Sequence, residues 1–148
     1  MPKPVTESEV NNLLQSKLNI QIATIDEEGY PVIHPTWFLY ENDSGKLFTA
    51  TAKMTRKVQN IRSNPDRICF SIDDENYPYK GVKGRAVAKV SEDVHKNLPI
   101  IEKINLKYLG NLEHPLAKRL IENTMNGTQV VIEITPKFFS AWDFGKAE

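Results

Sequence analysis

The residues with the clearest chemical potential lie between Thr49 and Arg67, in the stretch "TATAKMTRKVQNIRSNPDR". Within it, "TRKVQNIR" predicts a short helix capped by Thr55, whose hydroxyl oxygen can accept the free amides of a first turn. The next two residues are Arg56 and Lys57. A helix N-terminus already carries partial positive charge, so cations in the first turn are unfavourable. They become favourable once an anion lies between them and the helix. Free amides and the helix dipole both point at such an anion. Lys53, Arg56 and Lys57, with the hydroxyls of Thr49, Thr51 and Thr55, would complete a charge-assisted phosphate cradle. The same pattern also describes a solvated helix face carrying exposed cations. A nucleic-acid backbone is a third source of phosphate. Against it stand the lack of a wider basic stripe and the balance of 19 basic with 19 acidic side chains, which leaves the molecule no net field toward nucleic acid or anionic membrane.

Other chemistries find little support. His34, His95 and His114 are scattered, none spaced with another ligand as a metal requires, so no metal site is expected. There is no GxSxG or HExxH, and no GxGxxG follows a strand. Cys69, the one cysteine, rules out an internal disulfide and fits a reducing compartment. Its apolar strand context reads as that of a buried packing residue. An enzyme built this way would borrow its chemistry from a cofactor.

The elements that must position these residues can be read from periodicity. The 148 residues suggest a single domain spanning 1–148. "MPKPVTESEV" lacks a signal peptide and no run is long enough to span a membrane, which reads as cytoplasmic. Thr6 and Glu9 form a capping-box pattern before a helix whose stripe is Val10, Leu13 and Leu14. "NIQIATI" alternates as a strand, and "YPVIHPTWFLY" continues as a second one. Pro31 and Pro35 cannot donate to a ladder, so they should face an edge, a bulge or a ligand. "LFTAT", "RICFSID", "GVKGRAVAKV", "TQVVIEI" and "FFSAWDF" read as further strands. Pro99 should kink or split the helical segment between Ser91 and Gly110, and "HPLAKRLIENTMNG" gives a better helix, with Pro115 near its first turn and Gly127 as its cap. Together these predict a mainly β fold with helical insertions: a six- to seven-stranded antiparallel split β-barrel with peripheral helices.

At this point the order of residues carries a resemblance. "P-x-W-F" on one strand, "T-R-K-V-x-N-I-x-x-N-P" after the next, then "YKGVKGRAVAKV", "KYLG" and a closing "WDF" resemble the FMN-binding split-barrel family related to pyridoxamine 5′-phosphate oxidase. The likeness runs from about Asn19 to the C-terminal segment. It implies a homodimer with two flavin sites at the subunit interface and a flavin-dependent oxidoreductase acting on a small conjugated substrate. By position, Thr55, Arg56 and Lys57 would grip the FMN phosphate. Pro35, Thr36, Trp37 and Phe38 would lie along the isoalloxazine edge, and Ala50 and Thr51 would contact the ring or ribityl chain. Trp142 would cover the flavin from the partner subunit, or else serve as a packing tryptophan. The family's pyridoxamine phosphate oxidases carry a C-terminal arginine–histidine motif. This chain ends "WDFGKAE", and Tyr40 stands where those enzymes have a basic residue, so the likeness does not extend to that substrate. The wider family leaves two alternatives open: a deazaflavin-dependent reductase, and a non-catalytic flavin or haem binder for which His34 would be the ligand.

Overall fold

The computed structural model describes residues 3–146. Thr6 caps helix α1 (Glu7–Leu14) by accepting the Glu9 amide at 3.2 Å. The Glu9 carboxylate turns to Lys146 Nζ at 2.6 Å, tying the first helix to the last described residues. Leu13 and Leu14 are buried, and Val10 packs on the same core.

Strand β1 (Ile20–Ile25) turns Ile20, Ile22 and Thr24 inward, as its alternation predicts. β2 (Pro31–Thr36) pairs antiparallel with it. The expected long second strand is in fact two. The chain leaves the ladder at Trp37 and Phe38 and re-enters as β3 (Leu39–Glu41), which pairs with β4 (Lys46–Ala52). There follow α2 (Arg56–Ser63), β5 (Ile68–Asp74), β6 (Lys80–Ser91), α3 (Val94–Leu109), α4 (Pro115–Met125), β7 (Gln129–Asp143) and a 3-10 turn at Phe144–Lys146.

All seven strands form one sheet in the order β2-β1-β5-β6-β7-β4-β3. Its two end strands, β2 and β3, are consecutive in sequence, with Trp37 and Phe38 alone between them. The sheet therefore closes on itself through the covalent chain instead of through hydrogen bonds, which makes a split barrel. Its interior is filled by Ile22, Phe38, Ile72, Val82, Ile132 and Ile134. A second cluster of Phe48, Ile101 and Val131, flanked by Leu120 and Ile121, lies where α3 and α4 cover β4 and β7.

Three local expectations need correction. Pro99 does not split its helix: α3 runs through it. Asp93 caps the amides of His95 and Lys96, and the buried stripe of Asn97, Ile101, Ile104 and Asn105 holds both sides of the proline, which forfeits one hydrogen bond near the first turn. The two closing strands are one, β7, with Pro136 inside it. β4 accompanies β7 only as far as Ile134, and the register with β6 shifts so that Arg85 faces Phe138 while Ala86 faces Pro136. Pro136 thus sits at a bulge with one side unpaired, where a missing amide costs little. Gly84 lies beside that bulge because a Cβ there would collide with the Phe138 carbonyl oxygen. Cys69, finally, is exposed. With Ile68, Phe70 and Ile72 facing the core, strand alternation turns it outward, into a row that runs Ile33, Ala23, Cys69, Arg85, Phe138 across the barrel's outer face. Among the described residues no helix is long and apolar enough to cross a membrane.

Candidate functional site

The start of α2 forms as its sequence predicts. Thr55 Oγ1 accepts the Val58 amide at 3.4 Å and donates to the Ala52 carbonyl at 3.0 Å. No acidic residue occupies the first turn. Arg56 is exposed, and Lys57 is half-buried with Nζ 3.4 Å from Thr51 Oγ1. Among the described residues neither cation pairs with a carboxylate. Burial alone pushes the Lys57 ammonium below the usual lysine range. On the inner side of β2, His34 Nε2 lies 3.2 Å from Thr24 Oγ1, which also accepts Asn60 Nδ2 at 3.0 Å. His34 is held below its ordinary pKa by burial first and by the Lys57 charge second. This end of the barrel therefore gathers positive charge, hydroxyls and free helix amides, and among the described residues no carboxylate pairs with Arg56 or Lys57.

Two residues of the expected cradle lie elsewhere. Lys53 turns to Glu92 at 2.6 Å, a carboxylate it shares with Arg62 at 2.8 Å. Thr49 is wholly buried, and its hydroxyl has no hydrogen-bond partner. The reason is alternation along β4: Leu47, Thr49 and Thr51 face the barrel interior, and Phe48 and Ala50 face the helices.

Ala50 consequently belongs to a second place. With Thr36 and Trp37 it lines a cleft of about 170 Å³ whose far wall is Ile101, Ile104 and Asn105 of α3 and Leu120 of α4. The Trp37 ring stacks on Tyr108, centroids 4.8 Å apart and planes within 3°. Tyr108 in turn is fixed by its hydroxyl, which accepts the Phe38 amide at 3.2 Å and donates to the Leu18 carbonyl at 2.8 Å. Lys107 Nζ donates to the Phe38 carbonyl at 2.7 Å and lies 3.7 Å from the centroid of the Phe38 ring. Phe38 is thus placed differently from the expectation. Its side chain is 0% exposed and both its backbone polar groups are taken, so it anchors the barrel junction instead of offering a contact edge. Pro35 is exposed on β2, opposite Gln21.

Trp142 lies over Gly81, where a Cβ would come within 2.5 Å of the indole, and Lys83 Nζ is 5.9 Å from its ring. It lines a groove against α1 with Leu13 and Leu18, away from the cradle and the cleft of its own chain. On the barrel's outer face a shallow hollow of about 320 Å³ is lined by residues that include Ile33, Cys69, Phe138, Lys83 and Arg85. Ile33 is 68% exposed there and Phe138 57%. Among the described residues no cluster of three or more metal-ligating side chains occurs.

Sequence reasoning gave no site role to Asn105, which lines the far wall of the cleft, or to Lys107 and Tyr108, which hold Phe38 and Trp37 in place. One signal was available. Asn105 follows Ile101 and Ile104 on the buried stripe of α3, where a polar residue breaks the apolar pattern.

Comparison with known proteins agrees with this architecture. The family model described as pyridoxamine 5′-phosphate oxidase matches residues 6–143. No curated protein sequence matches the chain. Among solved structures, the conserved hypothetical protein Rv2991 from Mycobacterium tuberculosis is 24% identical, with a TM-score of 0.80 over 95% of this chain and 86% of that one. An F420 reductase is 25% identical, with a TM-score of 0.69 over 88% of this chain and 94% of that one. The heme storage protein HutZ from Vibrio cholerae is 16% identical, with a TM-score of 0.66 over 95% of each chain, and shows the fold alone. With the split barrel in place and the family pattern running from α1 to the end of β7, this chain belongs to the pyridoxamine 5′-phosphate oxidase family.

Proposed function

We propose that this chain is a single FMN-binding domain and works as a flavin-dependent oxidoreductase on a small conjugated substrate. One observation carries the reading: Lys57, half-buried beside the capped start of α2, has a hydroxyl and no carboxylate for a partner. Leaving a cation in that state is unfavourable unless a ligand supplies the missing charge. A phosphate suits the donors present, which are the Arg56 guanidinium, the Lys57 ammonium, the Thr55 and Thr51 hydroxyls and the first amides of α2.

In this reading Arg56 and Lys57 hold the phosphate, Thr51 contacts the ribityl chain, and Thr36, Trp37 and Ala50 border the ring system. Ile101, Ile104 and Leu120 form a wall that excludes water. Bound flavin supplies two-electron hydride exchange at N5, which none of these side chains can perform. The protein contributes position and a dry surface, with no acid–base pair at the cleft.

Size and the outer face both support a homodimer. A cleft of about 170 Å³ covers only part of a flavin, whereas good sites enclose most of their ligand. Ile33 and Phe138, at the two ends of the outer row, are large apolar side chains left exposed, which a second copy would cover, bringing Trp142 of that copy toward the flavin. Sedimentation equilibrium tests this: a stable monomer retaining flavin at full occupancy would rule the dimer out.

The likeness to an F420 reductase supports a second reading, a deazaflavin held by the same cradle. The haem reading has less behind it, because His34 Nε2 is already engaged with Thr24. The absorption spectrum of the protein as purified, followed by FMN titration, separates the three, since flavin, deazaflavin and haem bands do not coincide. A colourless protein that FMN does not quench on or bind would overturn the proposal.

A further inference from the structure

Among the described residues Asn105 is the buried side chain with both polar atoms unpartnered. It sits on the inner stripe of α3, is 0% exposed, and neither Oδ1 nor Nδ2 has a hydrogen-bond partner. Buried amides left without partners are rare, because each unpaired group keeps its desolvation cost. Its neighbour on the same stripe, Asn97, satisfies its Nδ2 on the Ser91 carbonyl at 2.7 Å. Asn105 instead lines the cleft, together with Trp37, Ala50, Ile101 and Ile104. Thr36 and Gln129 add polar groups from the strand side, and on the α3 side, beside Ile101 and Ile104, this amide is the polar feature of the cleft.

We infer that the Asn105 side chain reads the imide edge of an isoalloxazine-type ring inserted into this cleft. The inference rests on the flavin reading above and adds a residue to it. A primary amide offers one donor and one acceptor side by side. The complementary edge is a ring N–H flanked by a carbonyl, which is the pyrimidine-dione end of the flavin ring system. The volume of about 170 Å³ admits a single ring edge-on and not three fused rings. The pyrimidine-dione would therefore enter while the rest of the ring lies along Thr36 and Trp37. Trp37 is suited to that border because Tyr108, stacked at 4.8 Å, fixes its plane before any ligand arrives. The same edge is present in 5-deazaflavins, so Asn105 does not choose between the two cofactor classes. Removing the ring N–H, in contrast, should be felt directly.

The test compares riboflavin with 3-methylriboflavin, in which that N–H is replaced by N–CH₃, by fluorescence titration of the whole protein. Riboflavin lacks the phosphate, so the α2 cradle does not enter the comparison. The parent should prefer riboflavin by about tenfold or more, the scale of losing one buried hydrogen bond and leaving its partner unpaired. Asn105→Leu should bind the two ligands within about twofold of each other. Without ligand, this variant should melt no lower than the parent, because it replaces an unpaired polar group by an apolar one of similar size. Asn105→Ser is the second variant should leucine prevent folding, and the same loss of preference is expected. Equal binding of both ligands by the parent, or a preference that persists in the variants, would overturn the assignment of Asn105. Failure of the parent to bind any flavin at all would instead overturn the cofactor reading itself. A 5-deazaflavin tested in parallel should show the same dependence on Asn105, and independence there would also count against the inference.

Discussion

Lys57 Nζ lies 3.4 Å from Thr51 Oγ1, so a half-buried cation is joined to a neutral hydroxyl at the end of the barrel where α2 begins. Two opposite effects follow for Lys57→Met. The variant loses one charge-assisted contact to phosphate, about 1.5–3 kcal/mol, or roughly ten- to hundredfold in FMN affinity. The free protein loses an unfavourable cation from a helix start, so its stability should hold or rise by a few tenths of a kcal/mol. Arg56→Gln should weaken FMN in the same direction. Riboflavin should bind both variants and the parent about equally. Unchanged FMN affinity in both variants would remove the cradle from this helix.

His34 reports on the same charge. Its pKa lies below the ordinary 6.5, through burial and then through Lys57. A folded histidine that resists protonation stabilises the fold less as the pH falls, because the unfolded chain takes up the proton first. The parent should therefore lose stability as the pH drops through 6.5. In Lys57→Met the second cause is gone, so an NMR titration should place the His34 pKa higher than in the parent. A bound phosphate should also raise it. A His34 titration that ignores both changes would show that the two side chains do not sense each other.

Lys107 sets a second pH window. Burial lowers its pKa from 10.5 to about 8. Between those values the unfolded chain carries a proton that the folded chain has released, so folding stability contributed by this residue rises with pH. Denaturant midpoints of the parent and of Lys107→Met should accordingly converge or cross in favour of the parent as the pH goes from 8 to 10. Tyr108 ionises only at about 12 and is common to both proteins, so it cancels in the difference. A difference that stays flat across this range would mean Lys107 titrates as an ordinary surface lysine.

Tyr108→Phe should separate stability from the aromatic stack. It keeps the ring beneath Trp37 but leaves the Phe38 amide and the Leu18 carbonyl without their shared partner. The expected loss is about 1–3 kcal/mol, seen as a melting temperature lower by roughly 3–8 °C. The spectrum of Trp37 should change little. A variant as stable as the parent would show that water replaces the hydroxyl at both groups.

Much of the barrel was legible in the chain. Ile20, Ile22 and Thr24, and again Ile68, Phe70 and Ile72, declare their inward faces by strict alternation, and Thr55 declares the start of α2. What escaped depends on partners far away in sequence. The break at Trp37 and Phe38 exists because β2 and β3 pair with opposite ends of the sheet, a fact held by β1 and β4 and not by the segment itself. Pro136 is tolerated because β4 stops at Ile134. The pair of Thr51 with Lys57 was readable from local spacing, whereas the cleft needed α3, which lies some fifty residues downstream of Ala50, to supply its back.

The pairing of β4 with β7, Leu47 opposite Ile134 and Ala52 opposite Gln129, also imposes an order on biosynthesis. Translation at ~5–20 residues per second puts several seconds or more between the emergence of these two strands. During that interval β3 and β4 are a lone hairpin, which is marginal in water, and Ala50 has neither β7 beside it nor α3 and α4 above it. A nascent chain can thus present the α2 cationic start early but cannot offer the ring-lined cleft until β7 has left the ribosome. On the proposed flavin reading, ring binding has to wait for β7, and chains stalled before Gln129 should leave the ribosome unloaded.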